Sequence, residues 1–336
     1  MTGNSTDHHP ARDVAEMFNS AVAAFALSAA WELGALDELR ATGDLDAAEF
    51  AAGRGLDTAG TLGMFRALAA VRVVERDGTT VTPGARFAEA VRNRSFFHWL
   101  ARGSSELFRE MPSVLVAQNR VGEFYRRDPA AIALACREID ELCYAPTFWA
   151  AMGRLDFPVR RVVDLGCGSG GRLIDVLRSH PGSSAVGIDI ARPSLEVARK
   201  EVAEAGFGDR AGFVEADVLA LRPHPDYADV ELLLCFMMGH DFWPRDNCVA
   251  TLRRLREVFP AARRFLLGDA TRTVGVPDTE LPVFTLGFEV GHDLMGTFIP
   301  TIADWESVFA EGGWELVRTN RIGVAVGEVV FELAPR

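Results

Sequence analysis

The run Val162-Val163-Asp164-Leu165-Gly166-Cys167-Gly168-Ser169-Gly170-Gly171 leaves a chain few folds to choose from. Its apolar start reads as a strand, its glycines as a tight turn, and the segment from Gly171 onward as a helix. Gly166 and Gly168 let the backbone turn sharply and approach a ligand closely. The string also satisfies G-x-G-x-x-G through Gly166, Gly168 and Gly171, the pattern of a dinucleotide site. Asp164 argues against a pyrophosphate there, because that group seeks N–H donors and a helix N-terminus rather than a carboxylate. A cationic ligand suits Asp164 better.

The surrounding segments extend the reading to an α/β domain. Strand-like runs at 161–165, 185–189, 212–215, 230–235 and 265–267 alternate with helical segments, which predicts a mainly parallel, doubly wound sheet. The last two runs, 314–320 and 327–333, have no helix between them and are expected to close the sheet edge as an antiparallel hairpin. Asp189 ends the second strand, where an acid can accept both ribose hydroxyls of a nucleoside. Asp217 closes the third. Ile190, Val218 and Phe236 flank these strand ends and are assigned to the cofactor with Asp164, Gly166, Gly168, Asp189 and Asp217.

Residues 1–153 form a separate, mostly helical domain in this reading, and residues 154–336 the cofactor-binding domain. Helices are expected over 14–40, 46–53 and 57–71, followed by a hairpin over 73–81 with an Asp77-Gly78 turn, the order of a winged helix. Binding of nucleic acid is not expected. The helix that would enter the groove offers only Arg66 before its end, and the chain carries a net charge of -12. The stretch 21–30 is apolar all round and points to burial in a homodimer. Further helices are expected over 96–109 and 130–152.

No uninterrupted apolar stretch reaches the ~20 residues that span a bilayer. The first ten residues lack the apolar core of a secretory signal. Five cysteines without a C-x-x-C pair suit a reduced cytoplasmic protein. His8, His9, His180 and His224 lie in polar or proline-containing segments and read as solvated.

Gly-His-Asp occurs twice, at Gly239-His240-Asp241 and Gly291-His292-Asp293. The first follows strand four, and the second lies in the long segment 271–300 after strand five. Ligands in open α/β sheets bind beyond the carboxyl ends of the strands, so both imidazoles are aimed at one crevice. Two such imidazoles from separate loops, each beside a carboxylate, suit a mononuclear metal site with open positions.

The D-x-G-x-G-x-G loop with its strand-two and strand-three acids resembles the class I methyltransferases that use S-adenosylmethionine (SAM), over roughly residues 155–336. That resemblance implies a Rossmann-like fold and SAM as cofactor. Gly239-His240-Asp241-Phe242-Trp243 and the helix after it also resemble the plant-type small-molecule O-methyltransferases. In those the histidine is a general base and the N-terminal winged-helix domain dimerises, but His292 is left without a role.

A closer resemblance, from end to end, is to bacterial α-keto acid C-methyltransferases of the phenylpyruvate type, which serve peptide-antibiotic biosynthesis. It is carried by Phe97-His98-Trp99-Leu100, Phe236-Met237-Met238-Gly239-His240-Asp241-Phe242-Trp243 and Gly287-Phe288-Glu289-Val290-Gly291-His292-Asp293. It implies His240 and His292 as ligands of a non-haem metal, iron or another divalent ion. It also implies Trp99, Ser104 and Arg127 at the substrate and Asp241 beside the metal. The catalytic set is then His240, Asp241, His292 and Arg127, with Arg127 suited to binding a carboxylate bidentately. Adjacent side chains point apart, so Asp241 is expected to act through a water or from behind the ligands. On sequence alone Trp99 reads as core, and Ser104 and Arg127 carry no signal of their own. The implied reaction is methylation at C3 of a small-molecule α-keto acid, arylpyruvate or branched-chain, with a metal acidifying the C3 proton.

Overall fold

The computed structural model describes residues 10–323 and 327–336; His8, His9 and most of the N-terminal segment read for a signal lie outside them. The chain forms two compact units, residues 1–138 and 139–336.

In the N-terminal unit the helix expected over 14–40 is two helices, Pro10–Glu32 and Ala35–Thr42. Gly34 separates them with φ 77°, a left-handed conformation that ends a helix and that glycine adopts without steric penalty. Two further helices start where the sequence offers caps. Asp46 accepts from the amides of Ala48 and Glu49, both at 2.9 Å, and Asp57 from Gly60 at 2.6 Å. Each such cap stabilises by ~1 kcal/mol. Strands β1 (Leu45–Asp46), β2 (Val74–Asp77) and β3 (Thr80–Pro83) form a small antiparallel sheet in the order β1-β3-β2. Leu27, Ala30, Leu36, Leu39, Phe50, Phe65, Leu68 and Val81 make the core beneath it.

The first helix is not buried on every face. Val14, Met17, Phe18, Val22 and Phe25 form an exposed apolar stripe opposite the packed Ala23, Ala26, Leu27 and Ala30. Its segment Val14–Glu32, 19 residues with mean hydropathy 1.3, is long and apolar enough to cross a membrane by length and composition alone. A search for uninterrupted apolar runs does not register this segment, because Glu16, Asn19, Ser20 and Ser28 interrupt it. The helix expected over 96–109 is interrupted by a π-helical turn, Trp99–Gly103, closed by the Ser104 amide on the Trp99 carbonyl at 2.8 Å.

The helix expected over 130–152 is likewise broken. Pro129–Ile139 is followed by a second π-turn, Asp140–Tyr144, and by the helix Ala145–Met152. Pro146 has no N–H to continue the ladder, so the backbone changes hydrogen-bonding pattern just before it. The segment 139–153, read from the sequence with the first domain, packs within the second compact unit, where Phe148 meets Phe236 edge-on at 5.6 Å.

The second unit holds a seven-stranded sheet. β4 (Arg161–Leu165), β5 (Ser184–Asp189), β6 (Ala211–Glu215), β7 (Leu232–Phe236) and β8 (Arg264–Thr271) are parallel. β9 (Trp314–Arg321) and β10 (Gly327–Pro335) form the expected antiparallel hairpin. The order is β6-β5-β4-β7-β8-β10-β9, so β10 inserts between β8 and β9. Strand order reverses between β4 and β7, which opens the crevice where such sheets bind ligands. Val163, Leu165, Leu233, Cys235, Phe265, Leu267 and Phe331 pack one face against Leu252, Leu255, Trp305 and Phe309. Each large side chain so buried contributes ~1.5–3 kcal/mol.

Candidate active site

At the carboxyl end of β4 the chain turns through Gly166, Gly168 and Gly170, all with positive φ. Gly166 is fixed twice over. Its φ is 73°, and a Cβ there would lie 2.7 Å from the Met238 Sδ. The Gly168 amide donates to Asp189 Oδ2 at 2.9 Å, and the Ala191 amide to Oδ1 at 2.8 Å. Asp189 thereby ties the glycine turn to the end of β5, and each of its oxygens retains a second lone pair for a ligand hydroxyl.

Asp164 sits behind this turn, buried, and burial pushes its carboxyl up to about 7 against the opposing pull of Arg172. Arg172 is ion-paired with Asp140, and its guanidinium lies 3.5 Å above the Phe236 ring. A buried carboxyl this reluctant to ionise gains most from a ligand that brings a positive charge. Asp217 caps a short turn by accepting from the Leu219 amide at 2.8 Å. Val218 and Phe236 are buried, whereas Ile190 is exposed beside Asp189. The strand ends thus carry three acids, Asp164, Asp189 and Asp217, and the exposed apolar side chain of Ile190.

The two histidines meet, but not as two loops. His240 lies on the turn Gly239–Phe242 after β7, whereas His292 lies on the helix Thr285–Met295. The sequence hides that helix behind Pro277, Pro282 and the mid-helix Gly291; its sign is the helical spacing of Phe288, His292 and Met295, all buried. The imidazole rings stand edge to face with centroids 5.2 Å apart at 87°.

Both rings are held through Nδ1. His292 Nδ1 donates to the Phe288 carbonyl at 2.7 Å, and His240 Nδ1 to Asp269 Oδ1 at 2.8 Å. A carbonyl can only accept, and Asp269 Oδ1 already accepts from the Ala270 amide at 2.9 Å. The hydrogen therefore sits on Nδ1 in each ring, which in a neutral imidazole leaves the lone pair on Nε2. Gly239 allows this packing, since a Cβ there would come within 2.8 Å of Asp269 Oδ2.

Asp269, which holds the His240 ring, is not singled out by the sequence. It is fully buried at the end of β8, and an acid ending an apolar strand reads as a strand terminator. The neighbouring Asp241 is exposed, and so is Asp293, which pairs with Arg272 at 2.5 Å. Neither carboxylate of the repeated tripeptide is therefore the one that holds a ring Nδ1. Among the described residues no group of three or more His, Cys, Asp or Glu side chains is placed to hold a metal ion.

Trp99, Ser104 and Arg127 belong to the N-terminal unit. Trp99 is buried on the π-turn, and the Arg127 guanidinium lies 6.0 Å from its ring. The Ser104 hydroxyl is buried and finds no hydrogen-bond partner among the described residues.

Residues 162–260 match the family model described as a methyltransferase domain. Over 332 residues the chain is 52% identical to the protein named Methyltransferase ungE' of Aspergillus campestris, covering 96% of this chain and 97% of that relative. The chain belongs to the methyltransferases. It is a SAM-dependent enzyme with the class I Rossmann-like fold. The methyltransferase is also 34% identical, over 161 residues, to an indolepyruvate C-methyltransferase of Streptomyces griseus, covering 47% of this chain and 46% of that one. Its fold matches the solved structure of the mitomycin 7-O-methyltransferase MmcR with a TM-score of 0.72 at 19% identity, covering 99% and 100% of the two chains.

Proposed function

We propose that this methyltransferase transfers the methyl group of SAM to C3 of an α-keto acid, with His240 and His292 together holding a divalent metal. One observation carries the reading: the paired rings, each with Nδ1 engaged by a carboxylate or a backbone carbonyl. Metal-binding histidines are typically oriented this way, with the second ring nitrogen donating to such an acceptor. The donor set fits a metal with two protein ligands and further positions for the substrate. A metal held there by His240 and His292 would supply Lewis acidity that lowers the pKa of the C3 proton of a keto acid.

The chain's own groups do the rest. Asp269 and the Phe288 carbonyl fix ring orientation and tautomer. Asp164 receives the positive end of SAM and Asp189 its ribose hydroxyls, which lines the methyl up for in-line attack. The name of the Streptomyces relative, an indolepyruvate C-methyltransferase, supports carbon as the acceptor.

A second reading is methylation of a phenolic oxygen. The His240–Asp269 pair favours it, since a histidine oriented by a carboxylate suffices as a general base. It gives His292 no task. Incubation with SAM and a panel of α-keto acids and phenols, with the product solved by NMR, separates the two. A methyl group on carbon supports the first, and one on oxygen the second. We further infer a homodimer formed through the exposed stripe on the first helix.

A further inference from the structure

Phe284 occupies a backbone position that disfavours it on two counts. It is the third residue of the turn Pro282–Thr285, in which the Thr285 amide donates to the Pro282 carbonyl at 3.3 Å. Its φ of 76° and ψ of -35° lie near the type II value that calls for glycine or asparagine. It is also the residue preceding the helix that carries His292, and its carbonyl accepts the Phe288 amide at 2.8 Å. Ser, Thr, Asp, Asn or Gly suits that position. A bulky side chain at positive φ is an outlier, and such strain clusters at functional sites. Among the described residues only Arg72 and Met237 share it outside glycine, and Met237 lies three residues before His240.

The ring has a specific setting. It packs at 5.5 Å on Phe288, Phe288 packs at 4.0 Å on His292, and His292 faces His240. Yet Phe284 is only half-buried and sits in an apolar rim, with Val283 39% and Leu286 59% exposed. Burial of the ring alone does not account for a phenylalanine kept in a strained turn.

We propose that Phe284 is a specificity-determining residue: its ring is the wall that limits the bulk of the acceptor's side chain, while the acceptor's reacting end lies at the histidine pair. The inference rests on the histidine pair being the acceptor site, and it holds for a keto acid or a phenol alike. A side chain too large for the distance between the histidines and this ring is excluded.

The test compares full-length wild type with Phe284→Ala, which keeps the strain, and Phe284→Gly, which relieves it. kcat/KM is measured for indole-3-pyruvate and for 4-methyl-2-oxopentanoate, and for 2-naphthol and phenol as the oxygen-acceptor pair. Both variants are expected to shift the bulky-to-small ratio toward the bulky acceptor by about tenfold or more, the scale on which pockets discriminate by shape. Phe284→Gly is expected to melt higher than Phe284→Ala, which shows that the strain is real. A ratio unchanged within about twofold in both variants, whatever their melting temperatures, overturns the proposal while leaving the methylation reading intact. Turnover of phenols alone overturns the keto acid reading, and the ratio on the phenol pair then decides for Phe284. Turnover of neither class contradicts both.

Discussion

Asp269 holds His240 from a different strand: its Oδ1 accepts the ring's Nδ1 hydrogen at 2.8 Å from the end of β8, across to the turn that follows β7. The same oxygen accepts the Ala270 amide, which orients the carboxylate. Asp269→Ala is expected to lower kcat about 10–100-fold, the usual effect of removing such a partner. Asp269→Asn retains an accepting oxygen at the same place and is expected to be milder. Calorimetry should find SAM affinity unchanged in both. A SAM affinity that fell with kcat would mean that the fold, and not the ring, had been disturbed.

Asp164 makes stability depend on pH in an unusual direction. Its folded pKa of about 7 lies above the ordinary 3.8. Between about pH 4 and 7 the folded protein keeps a proton that the unfolded chain has lost, so stability falls as pH rises through that window and is level above it. At about 1.4 kcal/mol per unit the total is a few kcal/mol. Asp164→Asn should flatten this dependence and melt above wild type at about pH 8, while binding SAM more weakly. The cation of SAM should also draw the proton off. Calorimetry near pH 6 in two buffers of different ionisation enthalpy should register proton release on SAM binding by wild type and none by the variant. Equal heats in both buffers for wild type would separate Asp164 from the cofactor.

Phe18 and Met17, each 69% exposed, lie at the centre of the apolar stripe on the first helix. Burial of that stripe against a second copy stabilises by roughly 25 cal/mol per Å2 of apolar surface removed from water, before the cost of association. Light scattering at micromolar concentration should give a dimer mass for wild type and a monomer mass for Phe18→Asp. A wild-type monomer would leave the stripe to another occupant.

Much of the fold was legible because its strands are bounded runs. β4 is a buried apolar stretch closed by glycine, and the sequence reading placed its ends at the observed residues. The acids at the ends of β4, β5 and β6 could be placed for the same reason. What escaped were features set by partners distant in sequence or by single backbone positions. Gly34 lies inside an unbroken helical pattern and breaks it all the same. Asp269 gives no local sign of its bond to a ring 29 residues earlier. The helix around His292 was obscured by prolines that in fact lie outside it. Pro146 marked the second π-turn, but a proline inside a helical run reads equally as a kink.

The joint action proposed for His240 and His292 is on the carbon acid of an α-keto acid. It is tested most directly without methyl transfer. Protein loaded with iron(II), without SAM, is mixed with phenylpyruvate in D2O, and loss of the C3 proton signal is followed by NMR. Exchange faster than with iron(II) alone is expected for wild type, with return to that background on adding chelator and in His292→Ala. Background exchange in wild type, or an accelerated rate untouched by chelator and by His292→Ala, would contradict the claim and leave His240 as a general base for methylation at oxygen.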